Sequence, residues 1–190
     1  MPGSLDKSEK YDSEPGGRFL LVEERTPEFS YEIFNDAMSE GKTGLVFTRD
    51  YPAEVRKKYN LVGSFQMMWL THLVGENNYN PTSLGLILSK ITSFLDYHKQ
   101  GVIVFDGIEY MISQNSFDRI LHFIHQVRDM VILARGTMIM PFDTRILETK
   151  QTALLERNLE VIVPPEKLSA RRFTFELEDG LLKILRTQER

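Results

Sequence analysis

Short, uninterrupted apolar runs recur along this chain, each followed by a longer amphipathic stretch. Phe19-Leu20-Leu21-Val22, Gly44-Leu45-Val46-Phe47-Thr48, Phe65 to Leu70, Val102-Ile103-Val104-Phe105, Thr137 to Met140 and Glu160 to Val163 all read as strands. A strand with one face in water alternates apolar and polar residues, whereas a continuous apolar run is buried on both faces. Strands of that kind, alternating with helices, specify a parallel sheet covered on each side. The predicted architecture is three-layer α/β/α with a mainly parallel sheet.

The helices are marked by their punctuation. Thr26-Pro27-Glu28 offers an N-cap, a proline at the first helical position and an acid in the first turn. The helix it opens is expected to carry Ile33, Phe34, Ala37 and Met38 inward and to stop at Gly41. Pro52 opens a short helix through Tyr59, and Asn80-Pro81 precedes Leu84, Ile87, Ile91, Phe94 and Leu95 at helical spacing. A second long helix carries Phe117, Ile120, Leu121, Ile124, Val127 and Val131 on one face, and Asp143 precedes a helix to Asn158. The chain closes on Phe173, Phe175 and Leu177, a Glu178-Asp179-Gly180 turn, then Leu182 and Ile184. This reads as a C-terminal antiparallel β-hairpin that adds an edge to the sheet. Residues 1–16, rich in Ser, Pro, Gly and charge, read as a flexible tail. Residues 17–163 form the core, and 164–190 extend the same domain.

With 190 residues, 42% of them apolar and 26% charged, the chain is one ordinary globular domain. It has no cysteine, which excludes disulfides, a thiol nucleophile and thiolate metal sites, and fits a reducing compartment. No apolar run approaches the roughly 20 residues that span a bilayer, and the N-terminus has no apolar signal core. A cytoplasmic location without a membrane span is expected. The 23 basic and 27 acidic residues give a net charge of −4, which argues against a protein that lives by neutralising nucleic-acid phosphates.

In an open parallel sheet, ligands bind beyond the carboxyl ends of the strands. Arg49, Asp50, Trp69, His72, Asp106, Glu109 and Asp143 fall there and form the candidate ligand or partner cleft. Four apolar residues ending in Asp106 look like the strand whose carboxylate holds magnesium in nucleoside triphosphatases. The phosphate loop that should accompany it is missing. Gly41-Lys42-Thr43 imitates its end, but the required first glycine falls on Asp36. The tripeptide also follows a helix and precedes a strand, which puts it beside a helix C-terminus of negative partial charge. The correct place, Glu23 to Glu28, has no glycine or lysine and holds three glutamates.

Other chemistry is equally sparse. His122 and His125 stand three apart without an acid at metal spacing, and His72 and His98 are isolated. No Gly-x-Ser-x-Gly elbow occurs. Neither a catalytic residue, a metal nor a cofactor is expected.

The order of pieces resembles the archaeal family catalogued as domain of unknown function 835, itself similar to a degenerate RecA/KaiC-type ATPase core without its P-loop. The resemblance covers Gly17 to Leu159. It rests on Phe19 to Glu23, Gly44 to Pro52 with Val55-Arg56, Trp69-Leu70, Val104 to Tyr110 and Leu154 to Arg157. Active KaiC-like proteins carry a water-activating glutamate pair near the end of the second strand. Here Arg49-Asp50 stand in that place, and Gly107 rather than a second acid follows Asp106. The resemblance therefore implies the fold and argues against ATPase activity.

The expectation is a non-enzymatic regulatory or protein-interaction module on an inactive ATPase-like scaffold. Its partner is a protein. Phe173, Phe175, Leu182 and Ile184 are the candidate interface, serving either to extend the chain's own sheet or to join two copies as a homodimer. The alternative is a domain that senses a small molecule or cation through the altered cleft. Asp106, at the end of a buried strand, is expected to accept from nearby amides or pair with Arg49.

Overall fold

A computed structural model describes residues 16–165, together with the backbone strands at 174–178 and 181–185. In chain order the elements are β1 (Arg18–Glu23), α1 (Glu28–Ser39), β2 (Thr43–Thr48), α2 (Pro52–Lys58), β3 (Ser64–Leu70), β4 (Asn78–Tyr79) and α3 (Leu84–Tyr97). They continue with β5 (Val102–Asp106), α4 (Ile108–Gln114), α5 (Phe117–Leu133), β6 (Thr137–Phe142), a 3-10 turn (Thr144–Ile146), α6 (Thr149–Glu156) and β7 (Glu160–Ile162). Seven strands form one sheet in the order β4-β3-β2-β5-β6-β1-β7, and every pairing in it is parallel.

Strand parity divides the core into two layers. Leu21, Leu45, Phe47, Ile103, Phe105 and Met140 pack beneath α3, α4, α5 and α6. Leu20, Val22, Val46, Val104 and Ile139 pack beneath α1 and α2. Both rows are buried, which is why these strands show no polar alternation. Burying one such side chain contributes roughly 1.5–3 kcal/mol. Gly44 sets the approach of α1, because a Cβ there would meet the Phe34 ring at 2.5 Å.

Several boundaries differ from the sequence reading. The buried face of α1 is Ser30, Tyr31, Phe34 and Met38, with Ile33 and Ala37 at its margin. Helix α3 begins at Leu84, because Asn80 closes a local turn by accepting from the Thr82 amide at 2.9 Å. Strand β6 runs through Pro141 to Phe142; the β5 ladder has ended at Ile139, so the missing N–H breaks nothing there. The helix expected from Asp143 to Asn158 is a 3-10 turn followed by α6.

Thr174–Glu178 (β8) and Leu181–Leu185 (β9) pair antiparallel as a separate two-stranded sheet. Among the described residues no antiparallel strand edges the main sheet, contrary to the expectation. Phe173 lies outside the described residues, as do residues 1–15 and the side chains of Phe175, Leu182 and Ile184. No helix among the described residues is long and apolar enough to cross a membrane.

Candidate functional site

The exit of β1 is where the fold would place a phosphate. Glu24 is only 6% exposed, and its own amide donates to the Phe142 carbonyl at 3.2 Å. Its carboxylate accepts from the backbone amides of Phe29 and Ser30, each at 3.0 Å. Those amides belong to the first turn of α1, whose N–H groups have no partner within the helix. A phosphate at a helix N-terminus would take such donors. Here the chain's own carboxylate takes them. Thr26, the expected N-cap, makes no such bond; Pro27 is the cap residue and carries no side-chain cap bond.

Beside Glu24 opens a hollow of about 700 Å³ walled by Arg25, Thr26, Glu28, Phe29, Glu32 and the Pro164-Pro165 pair. One arginine faces three glutamates in this lining. These residues do not fit a triphosphate. Gly41-Lys42-Thr43 lies at the other end of the sheet, where Gly41 has φ +84 after α1 and Lys42 pairs with Glu40 at 3.5 Å.

The exits of β2 and β5 lie side by side, with Thr48 opposite Asp106 in the ladder. The Tyr31 hydroxyl, on buried α1, donates to Asp106 Oδ2 at 3.1 Å. Tyr31 in turn stacks on Tyr59, with ring centroids 4.3 Å apart. Burial raises the Asp106 carboxyl to about 7; the Tyr31 bond opposes that rise, and Glu109, Asp50 and Glu24 add to it. Burial, and then the charge of Asp106, lift the Tyr31 hydroxyl well above the usual phenol range. Burial also raises Glu24, against the bonds from Ser30 and Phe29.

Arg49 does not pair with Asp106 through its side chain. Its guanidinium lies 4.4 Å over the Tyr110 ring, and Nη1 reaches the Leu70 carbonyl at 3.5 Å. Only the Arg49 backbone touches Asp106, its amide donating to the Asp106 carbonyl at 3.0 Å. The expected ion pair is replaced because Tyr31 approaches the carboxylate from inside while Arg49 turns outward onto an aromatic face. Gly107, at φ +147, permits the close turn into α4: a Cβ there would lie 2.7 Å from Leu70 Cδ1.

The other predicted residues sit along the same end of the sheet. The Trp69 indole donates to the Arg49 carbonyl at 3.0 Å. His72 Nε2 meets Gln114 Oε1 at 3.2 Å, and the imidazole stands edge-on to Tyr110. Glu109 accepts from the Asp143 amide at 3.0 Å, and burial raises its carboxyl. Asp143 forms an ion pair with Arg145 at 2.7 Å. Asp50 is exposed, its amide donating to Thr48 Oγ1 at 3.1 Å. Among the described residues no group of three or more His, Asp or Glu is arranged to hold a metal ion.

Tyr31 and Tyr110, two aromatic partners of the cleft, carry no sequence signal of their own. Tyr31 lies outside the stripe expected for α1, three residues before Phe34, and the structure buries it. Tyr110 follows Glu109 at the start of a short helix, where nothing marks it as a platform for Arg49.

The chain can be compared with known proteins on this geometry. A KaiC-like protein, PH0186, from the hyperthermophilic archaeon Pyrococcus horikoshii OT3 superposes with a TM-score of 0.54. The match covers 92% of this chain and 81% of that one at 16% sequence identity, so the two share a fold. No curated protein matches the sequence. The family model described as protein of unknown function (DUF835) matches residues 23–159, from the end of β1 to the residue before β7. That span contains the whole candidate cleft, and the chain belongs to the DUF835 family.

Proposed function

We propose that this protein is a non-enzymatic regulatory and protein-interaction module built on a KaiC-like scaffold. The observation that carries the reading is the Glu24 carboxylate on the first-turn amides of α1. A nucleotide would have to displace a buried, doubly bonded anion and then sit among Glu28 and Glu32. With that position taken internally, the surface of the fold is what remains for function, and a protein partner is the natural occupant. The same reading sets the protein in an archaeal cytoplasm, in keeping with its lack of cysteine and the source of its structural neighbour.

A thermal-shift titration with ATP and magnesium tests this. A ligand raises the midpoint only by binding the native state. The midpoint is expected to stay still, and a saturable upward shift overturns the reading.

A second reading, a small-molecule or cation sensor, is favoured by one observation. Asp106 keeps a buried carboxyl raised to about 7 with a single side-chain donor, Tyr31. A ligand supplying charge or donors there would stabilise the fold, and Asp106→Asn would abolish that effect.

A further inference from the structure

Among the described residues, the outer edge of β3 is only partly covered. Strand β4 pairs with Trp69 and Leu70 alone, and the amides of Trp69 and Thr71 donate to Asn77 and Tyr79 at 2.8 and 2.9 Å. Backbone groups of successive residues in a strand point to alternate neighbours. Phe65 and Met67 share the parity of Trp69, so their N–H and C=O groups face the same outer edge. Strand β4 is two residues long and stops short of them. Unpaired backbone of this kind is a template for another strand.

A groove of about 630 Å³ runs along that stretch. Phe65, Met67 and Trp69 line it, with Tyr51 and Arg56 from α2 and its approach as the wall. Tyr51 is 53% exposed and stands edge-on to Trp69 at 5.4 Å, while the Arg56 guanidinium lies 4.3 Å over the Phe65 ring. On the opposite face of the sheet Lys90 donates to the Gln66 side chain at 2.7 Å. The open edge is bracketed by an aromatic shelf on one face and a lysine on the other.

The chain carries a segment of matching chemistry. Strand β8 has five residues, as does the open stretch Ser64 to Met68, and its sequence Thr-Phe-Glu-Leu-Glu alternates apolar and acidic positions. A strand added to β3 presents alternate residues to alternate faces. One register puts Phe175 and Leu177 on the Trp69 side and Glu176 and Glu178 on the Lys90 side. An isolated two-stranded hairpin is marginal in water, so β8 and β9 need a surface.

Chain length decides whose hairpin it is. Pro165 follows β7 and lines the hollow beside Glu24 with Glu28, Phe29 and Glu32, on the β1–β7 side of the sheet. Roughly five to six strand spacings, about 24–29 Å straight through the sheet, separate it from the place of β4. The nine steps from Pro165 to Thr174 reach about 30 Å only when fully extended. A path over α1 and α2 is longer than the straight one and leaves no slack. The outer edge of β3 is therefore open to a second copy's hairpin more readily than to its own. Its own β7 is near, but offers three residues of edge that begin with Glu160 and follow Glu156.

We propose that the outer edge of β3 receives strand β8 from the C-terminal hairpin of a second copy, giving a reciprocal two-fold dimer. Strand addition is a common recognition mode, and a two-fold exchange closes without leaving an acceptor edge free. The proposal rests on the interaction-module reading and names its partner as the chain itself.

Size-exclusion chromatography with light scattering on the full chain, from about 1 to about 100 µM, tests it. The wild type is expected to dimerise. Lys90→Glu in one variant, and Glu176→Lys with Glu178→Lys in another, should each weaken association by about tenfold or more through like-charge contact. Mixing the two variants makes both junctions complementary again and should restore the dimer. Should Lys90→Glu fail to fold, Arg56→Glu, on an exposed side chain over Phe65, is the second edge variant. It sets a charge on the face that receives Phe175 and Leu177 and should weaken association without rescue by the lysine variant. A wild-type monomer throughout, a dimer indifferent to these reversals, or a mixture that stays monomeric overturns the proposal. A monomer whose midpoint ATP leaves unmoved refutes this surface alone, whereas stabilisation by ATP refutes the module reading beneath it.

Discussion

Two carboxylates sit at strand ends in this sheet, and their fates differ. Glu24, after β1, lies on two backbone amides of α1. Asp106, ending β5, has one side-chain donor, the Tyr31 hydroxyl. Burial raises both carboxyls, that of Asp106 to about 7. The difference lies in what surrounds the charge. A helix N-terminus brings fixed donors and a favourable dipole to an anion. A phenol brings one hydrogen bond in a neighbourhood of other acids. Glu24 closes the first turn of α1 from within the chain, while burial pushes the Asp106 carboxyl up to about 7.

The sharpest way to break this contrast is Glu24→Ala. It strips two buried first-turn amides of their acceptor and empties a packed position. We expect a loss of about 3 kcal/mol in urea unfolding, from the missing cap and the unsatisfied donors together. Glu24→Gln keeps an acceptor oxygen and should lose about half as much. A loss below about 0.5 kcal/mol for Glu24→Ala would mean that solvent satisfies those amides equally well, and the contrast would fail.

The next effect belongs to Asp106 and is read through pH. Its folded value lies above its ordinary one, so the folded state binds the proton more tightly than the unfolded chain. Stability from this group is complete below the unfolded value and is lost as pH rises through the folded value. Between about pH 5 and about pH 8 the loss should be roughly 2 kcal/mol. Glu24 and Glu109 are raised in the same direction and contribute with the same sign. Asp106→Asn keeps an acceptor for Tyr31 and removes the titration, so its profile should be flatter than the wild type by the share due to Asp106. Parallel profiles would show that Asp106 is ionised throughout that range.

The sheet itself was legible because β1, β2, β5 and β6 are buried on both faces. Val102 to Phe105 needs no partner residue to be read as a central strand, and Asp106 marks its exit. Helices α3 and α5 were legible from apolar spacing across several turns. Strand β4 was not: Asn78-Tyr79 is too short for any period to show, and it exists because the loop after β3 folds back on Trp69. The row Arg49, Trp69, His72, Asp106, Glu109 and Asp143 follows from strand ends alone. Its pairings do not, since the direction in which Arg49 leaves the backbone depends on Tyr110, from an element 61 positions further along the chain. Glu24 was visible as an acid in the wrong place for a phosphate. That its carboxylate takes the first-turn amides of α1 required the position of that helix.

A smaller effect separates Tyr31 as partner from Tyr31 as core. Tyr31→Phe keeps the ring on Tyr59 and removes only the donor to Asp106. The cost should be about 1–2 kcal/mol at neutral pH. The Asp106 titration should also move upward, because the bond that opposes its rise is gone. An unchanged titration with an unchanged stability would leave Tyr31 as a packing residue alone.

The smallest expected effect is the coupling between Arg49 and Asp106, and it separates the observed geometry from the ion pair that the sequence invites. A buried pair broken on one side typically costs about 3–5 kcal/mol. Arg49 is exposed, however, and its guanidinium lies on Tyr110 and near the Leu70 carbonyl. An exposed contact of that kind contributes about 0.5–1 kcal/mol. Its backbone bond to Asp106 joins main-chain atoms and survives any change of either side chain. Arg49→Ala, Asp106→Ala and the double variant should therefore be additive in urea within about 0.5 kcal/mol. The single Arg49 variant should be the mildest of the three. A coupling above about 1 kcal/mol would mean that the two charges meet in solution. In that case Arg49 would be the counterion of Asp106, and the carboxyl would titrate in the ordinary acidic range rather than near neutrality.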